Sequence, residues 1–111
     1  MDSNDALHLR HIIAAIEQLE RYTRGMSESE FASRSMVQDA AAHQVRIVSE
    51  AAKNVSVEFQ DLHPKIPWEK LCTVNSTIIT KDYKLNITTA WDIIQDDLPI
   101  LKQTIRKLLL A

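Results

Sequence analysis

The stretch Asn86-Ile87-Thr88-Thr89-Ala90-Trp91-Asp92-Ile93-Ile94-Gln95-Asp96-Asp97-Leu98-Pro99-Ile100-Leu101-Lys102-Gln103-Thr104-Ile105-Arg106-Lys107-Leu108 decides the fold. Its apolar residues Ile87, Trp91, Ile94, Leu98, Leu101, Ile105 and Leu108 alternate in spacings of four and three. That alternation sets them along one line of an α-helix and makes a heptad seam. Asn86 stands where a helix N-cap belongs. Pro99 interrupts the pattern, because its ring displaces the carbonyl four residues back and it has no N–H to donate. The stretch therefore predicts one kinked helix or two abutting ones, with Asp96 and Asp97 at the junction and Asp96 capping a fresh turn.

Working outward, the rest of the chain reads as further helices. From Asn4 to Arg24 the residues Leu9, Ile12, Ile13, Ile16 and Leu19 form a buried stripe, and Gly25 just beyond supplies the left-handed residue that ends a helix. Ser27 followed by Glu30 is a capping box and predicts a short helix through Phe31 to Ser33. A third helix from Met36 to Val55 carries Val37, Ala41, Gln44, Val48, Ala51 and Val55 as its stripe, with alanines that allow a neighbouring backbone to come close. His43 reads as a residue of its polar face. Ser56 caps a helical turn that closes before His63-Pro64. Pro67 fits the first turn of a helix bearing Trp68, Leu71, Val74, Ile78 and Ile79, which stops at the polar break Lys81-Asp82-Tyr83-Lys84.

One Gly and three Pro in 111 residues leave little material for hairpins and sharp loops, so the fold class is all-α. The length fits a single domain over 1–111, and four main helices plus a short one form an up-and-down bundle. A net charge of −2 and a pI near 6.0 remove the broad positive field with which proteins hold duplex DNA, so any nucleic-acid site must be local. Cys72 stands alone, which excludes an internal disulfide, and its neighbours Leu71 and Val74 make it a small buried hydrophobe. No apolar run approaches the roughly 20 residues of a membrane span, and the chain's start lacks a signal peptide's pattern, so the expected location is cytoplasmic. His8 and His11 lie three apart with no third ligand at a useful spacing, so neither metal nor cofactor is expected.

Four segments together carry a family resemblance. They are Leu9-Arg10-His11-Ile12 with the exit Glu17-Gln18-Leu19-Glu20-Arg21-Tyr22-Thr23-Arg24-Gly25-Met26, the middle Ile47-Val48-Ser49-Glu50-Ala51-Ala52-Lys53, the start Ile66-Pro67-Trp68, and Trp91 with Asp97-Leu98-Pro99. They resemble the HepT-like toxins of the HEPN superfamily, small all-helical ribonucleases of prokaryotic toxin–antitoxin pairs. The resemblance implies a HEPN-like bundle, RNA as the ligand, and a partner that is a nucleotidyltransferase antitoxin of the MNT type. In that family the Ile-Pro-Trp start leads into Arg, a short spacer, His, one residue and Tyr. Aligned without gaps between Ile66-Pro67-Trp68 and Trp91, this chain has Asn75 at the Arg position, Thr80 at the His position and Asp82 at the Tyr position.

Those substitutions bear directly on chemistry. Cutting RNA without a metal needs a base for the 2′-hydroxyl, an acid for the leaving oxygen and a cation on the phosphate. Asn75 carries no charge and Thr80 exchanges no proton near neutral pH. General acid–base help is worth about a hundred- to ten-thousandfold, and an electrostatic clamp a further factor of about a hundred to a thousand. The catalytic positions Asn75 and Thr80 therefore read as degenerate, in a scaffold with weak or no nuclease activity that retains dimer and partner binding. A shift of one residue instead puts Lys81 and Tyr83 at the His and Tyr positions, an alternative in which the chain remains a ribonuclease with substitute groups. The family's motif tyrosine accepts adenylyl groups from the partner; Asp82 cannot do so in the same way, and Tyr83 is the neighbouring candidate. A helical interaction module without enzymatic activity is the third alternative. A homodimer is expected because the seam and the apolar end of the preceding helix offer more apolar surface than one bundle covers.

Overall fold

The structure, a computed structural model, describes residues 2–110. Among these the chain forms α1 (Ser3–Thr23), α2 (Glu28–Ala32), α3 (Ser35–Lys53), α4 (Val57–Leu62), α5 (Trp68–Thr77), α6 (Ile87–Asp92), a π-turn (Ile93–Asp97) and α7 (Leu98–Leu110). The all-α reading holds, and the one β-type contact among the described residues is a bridge between Ile79 and Leu85. None of these helices is long and apolar enough to cross a membrane.

Local chemistry sets most helix ends. The Asp2 side chain accepts from the Asn4 N–H at the start of α1, and Gly25, at φ 73°, turns the chain away beyond its end. Ser27 and Glu30 complete the capping box of α2, and the side chains of Ser56 and Asn86 cap α4 and α6. Pro67 stands one position outside α5 as its N-cap; the Trp68 indole N–H holds the entry by donating to the His63 carbonyl at 3.0 Å.

Pro99 acts differently from the expected kink with a fresh cap. Leu98 keeps helical dihedrals (φ −68°, ψ −38°) and its N–H reaches back five residues to the Ile93 carbonyl. The widened turn takes up the missing N–H and the ring of Pro99 without breaking the helix, so no new cap forms at Asp96. Helices α6 and α7 thus run on as one element, and Ile94, Leu98, Leu101 and Ile105 of the seam are buried within the chain.

The bundle is built around α3. It lies between α1 and α5 and contacts both, while α7 packs along α1 and faces α5 across a groove. This position explains a second difference from the sequence reading. Besides Ala41, Val48 and Ala51, α3 buries Val45, Ser49 and Ala52, because a helix with neighbours on two sides needs two apolar stripes. Gln44, expected in the stripe, is half-buried and its amide reaches the Tyr22 hydroxyl at 3.4 Å. Polar ties fix the other helices: Arg106 meets Glu17 at 2.7 Å and Lys102 pairs with Glu20, clasping α7 to α1, and the Gln95 amide of the π-turn donates to Thr23 Oγ1 of α1 at 3.1 Å. Phe31 of α2 lies against Trp91 of α6, ring centroids 5.4 Å apart.

Candidate functional site

Helix α5 carries the first residue of interest, and α3 sets its position. Ser49 is completely buried; its hydroxyl donates to the Leu71 carbonyl at 3.0 Å and accepts from the Asn75 N–H at 3.1 Å. Leu71 and Asn75 are acceptor and donor of one turn of α5, so a single hydroxyl of α3 grips both sides of that turn. Asn75 is held half-buried on the α3 side of α5. Its neighbours there are Ala42, His43 and Arg46 of α3 with Ile78 and Ile79, and together they line a hollow of about 300 Å³.

Thr80 lies elsewhere. Helix α5 ends at Thr77, and Thr80 opens a tight turn in which its N–H donates to the Lys84 carbonyl at 2.7 Å. Its carbonyl accepts from the Tyr83 N–H at 3.0 Å and its Oγ1 from the Lys84 N–H at 3.2 Å. The Asn86 N–H donates to the Ile78 carbonyl at 2.7 Å and closes the turn against the end of α5. Thr80, Lys81, Asp82, Tyr83 and Lys84 are all exposed. Tyr83 is 91 % exposed and takes a left-handed φ of 62°, so its ring projects from the tip. The turn therefore presents Lys81, Asp82 and Tyr83 to solvent, while the Thr80 hydroxyl accepts from the turn's own backbone.

A model of the family described as Ribonuclease HepT-like matches residues 12–108, a span that includes the Asn75 hollow and the turn. The chain belongs to the HepT-like ribonuclease family. Two archaeal relatives are each 31% identical to it. One, from Methanocaldococcus jannaschii, is named as a gamma-glutamylcyclotransferase and proposed RNase; the match covers 93% of this chain but 46% of that protein, so the chain spans about half its length. The other, named probable ribonuclease HepT in Thermococcus cleftensis, is matched over 91% of this chain and 92% of its own. A proposed RNase of Caldanaerobacter subterraneus subsp. tengcongensis is 26% identical over 92% of this chain and 91% of its own. No solved structure matches significantly.

Within the HepT-like frame, the structure separates the two positions that the sequence placed in one motif. Asn75 faces α3 inside a hollow, and Thr80 sits on the exposed turn beyond α5. His43, which the sequence reading left on a polar face, and Arg46, which it passed over, lie beside Asn75 although they are about 30 residues away in the chain. Their signal was slight: a basic and an imidazole side chain three apart on a helical polar face. His8 and His11 of α1 line a neighbouring hollow of about 280 Å³ with Arg46, Ile47, Glu50, Ala51 and Asn54. Among the described residues no group of three or more His, Cys, Asp or Glu side chains is placed to hold a metal ion. Cys72 is half-buried against the core, where desolvation raises its thiol pKa against the opposing pull of the Lys53 ammonium. That keeps it a protonated packing residue.

Proposed function

We propose that the chain is the toxin-type member of a pair with an MNT-type nucleotidyltransferase antitoxin, and that it keeps the RNA-facing surface of its family with weak or no cleavage. The observation that carries this reading is the character of the two expected catalytic positions. Asn75 is a neutral amide in its hollow, and the Thr80 hydroxyl is engaged by the Lys84 N–H. Neither residue can clamp a phosphate by charge or shuttle a proton at neutral pH. The exposed turn of Lys81, Asp82 and Tyr83 is the surface we assign to the antitoxin, with the Tyr83 hydroxyl as the candidate acceptor of an adenylyl group.

A homodimer is part of the same proposal. Most of the heptad seam is covered within the chain, but α5 and α7 are separated by an apolar groove of about 550 Å³ lined by Leu71, Val74, Ile93, Leu98, Ile100 and Leu101. Ile100 is 71 % exposed at its edge. A second copy laid across this groove covers what the bundle leaves open.

Purified protein incubated with single-stranded RNA, with and without a chelator, tests the reading. Little or no cleavage is expected, and many turnovers per molecule at low protein concentration would refute it. Restoring Asn75→Arg and Thr80→His together is expected to arrest growth, with neither change sufficient alone. A folded double variant that stays harmless would show that the gap-free register is wrong.

A further inference from the structure

The two hollows that flank Arg46 form one surface. The first is lined by Ala42, His43, Asn75, Ile78 and Ile79, and the second by His8, His11, Ile47, Ala51 and Asn54. Arg46 belongs to both and is exposed between them. Three of the chain's four histidines therefore gather around one arginine, on a protein whose net charge is −2. Each hollow combines an apolar floor, a flat imidazole and an amide side chain. One acidic group, Glu50, lines the second hollow, and it lies 3.6 Å from the Lys53 ammonium.

We propose that this surface binds two successive nucleotides of single-stranded RNA, one base in each hollow, with the phosphate between them on Arg46. This rests on the functional reading above and gives its RNA surface a definite place and size. The chemistry of the lining matches what unpaired RNA presents. Flat side chains stack on bases, amides read base edges with paired donor and acceptor, and a guanidinium grips a phosphate with parallel hydrogen bonds. His43 and Asn75 serve the first base, His8, His11 and Asn54 the second. The path runs over α1, α3 and α5 and ends at Ile78 and Ile79, just before the turn of Lys81, Asp82 and Tyr83 that is assigned to the nucleotidyltransferase.

Fluorescence anisotropy with a labelled single-stranded oligoadenylate tests the placement. Arg46→Ala is expected to weaken binding about tenfold and to lower the salt-dependence slope by about 0.7, the loss of one phosphate contact to a single strand. His43→Ala and His11→Ala are each expected to weaken it at least fivefold, in the range of one lost stacking contact. These residues lie outside the core, and an unchanged melting temperature shows that each variant is folded. Arg46→Lys, which keeps charge but not the fork, is expected to fall between wild type and alanine. Adenosine monophosphate is expected to bind more weakly than the dinucleotide; equal affinities would overturn the two-hollow arrangement. So would wild-type protein that binds no oligoadenylate, or binding that survives Arg46→Ala but is lost in Lys81→Ala. In that last case the inference fails while the reading of a weakly active toxin stands. Efficient RNA cleavage that is lost with Arg46→Ala has the opposite result: the placement stands and the weak-nuclease reading falls.

Discussion

Replacing Ser49 with alanine is expected to loosen α5 from α3 at the level of Asn75. The hydroxyl is fully buried and makes two hydrogen bonds across the interface, at 3.0 Å to the Leu71 carbonyl and 3.1 Å from the Asn75 N–H. Each is worth about 0.5–1.5 kcal/mol net, so the loss is about 1–3 kcal/mol. The lower end applies if the Leu71 carbonyl and Asn75 N–H bond each other directly once the hydroxyl is gone, and the upper end if they stay apart and unpaired. At about 4 °C per kcal/mol for a domain of this size, the melting temperature should fall by about 4–12 °C. Urea unfolding followed by circular dichroism at a fixed protein concentration measures the difference, and two comparison variants separate the causes. Ser49→Thr keeps the hydroxyl and adds a methyl group, while Ser49→Val adds bulk and removes the hydroxyl, at a further cost of about 1–3 kcal/mol from overpacking. The expected order of stability is wild type, then alanine, then valine. If alanine matches wild type while threonine and valine lose stability equally, the site is a matter of space alone and the hydrogen-bonded grip on α5 is wrong.

Asp5, buried at the start of α1, accepts from the Ser56 N–H and hydroxyl at 2.7 Å each and so ties α1 to the cap of α4. Asp5→Ala is expected to cost about 2–3 kcal/mol, reduced from the sum of two charge-assisted bonds because half-exposed Ser56 regains water, and Asp5→Asn less; equal losses in a thermal melt would remove the carboxylate from the account. Tyr83→Gly is expected to stabilise the chain by about 0.5–1 kcal/mol by relieving the left-handed backbone at a side chain that buries almost nothing, and a loss of stability would refute that. Cys72 should react with iodoacetamide at pH 8 more slowly in the folded protein than in urea, because burial raises its pKa and leaves less thiolate. The same shift means that, as pH rises above the unfolded thiol's value, the native state still holds a proton that the unfolded chain has lost; stability should therefore fall there, and Cys72→Ala should remove that part of the slope.

Helix caps and the seam show where the sequence was enough. Helix ends depend on neighbours in the chain: Ser27 with Glu30, Ser56 with Phe59, Asn86 with Thr89, and Gly25 beyond α1 all act within a few residues, so their types and spacing could be read directly. The heptad pattern from Ile87 to Leu108 fixed which face is buried for the same reason. Pro99 was harder, because a proline in a helical pattern has several solutions, and the π-turn with its Leu98 N–H bonded to the Ile93 carbonyl is only one of them.

The candidate site divides along the same line. Asn75 and Thr80 could be located because the frame from Ile66 to Pro99 is continuous in the chain. Their separation into a hollow and an exposed turn could not, since it depends on where α5 ends and on which side α3 lies. The all-α class, the caps of α2, α4 and α6 and the family frame were written in the sequence, because each rests on interactions of short range along the backbone. The second buried stripe of α3, the grip of Ser49 on α5 and the meeting of His8, His11 and His43 around Arg46 were decided by the tertiary structure. They join residues far apart in the chain, and only the packing of three helices sets which of their polar faces come together.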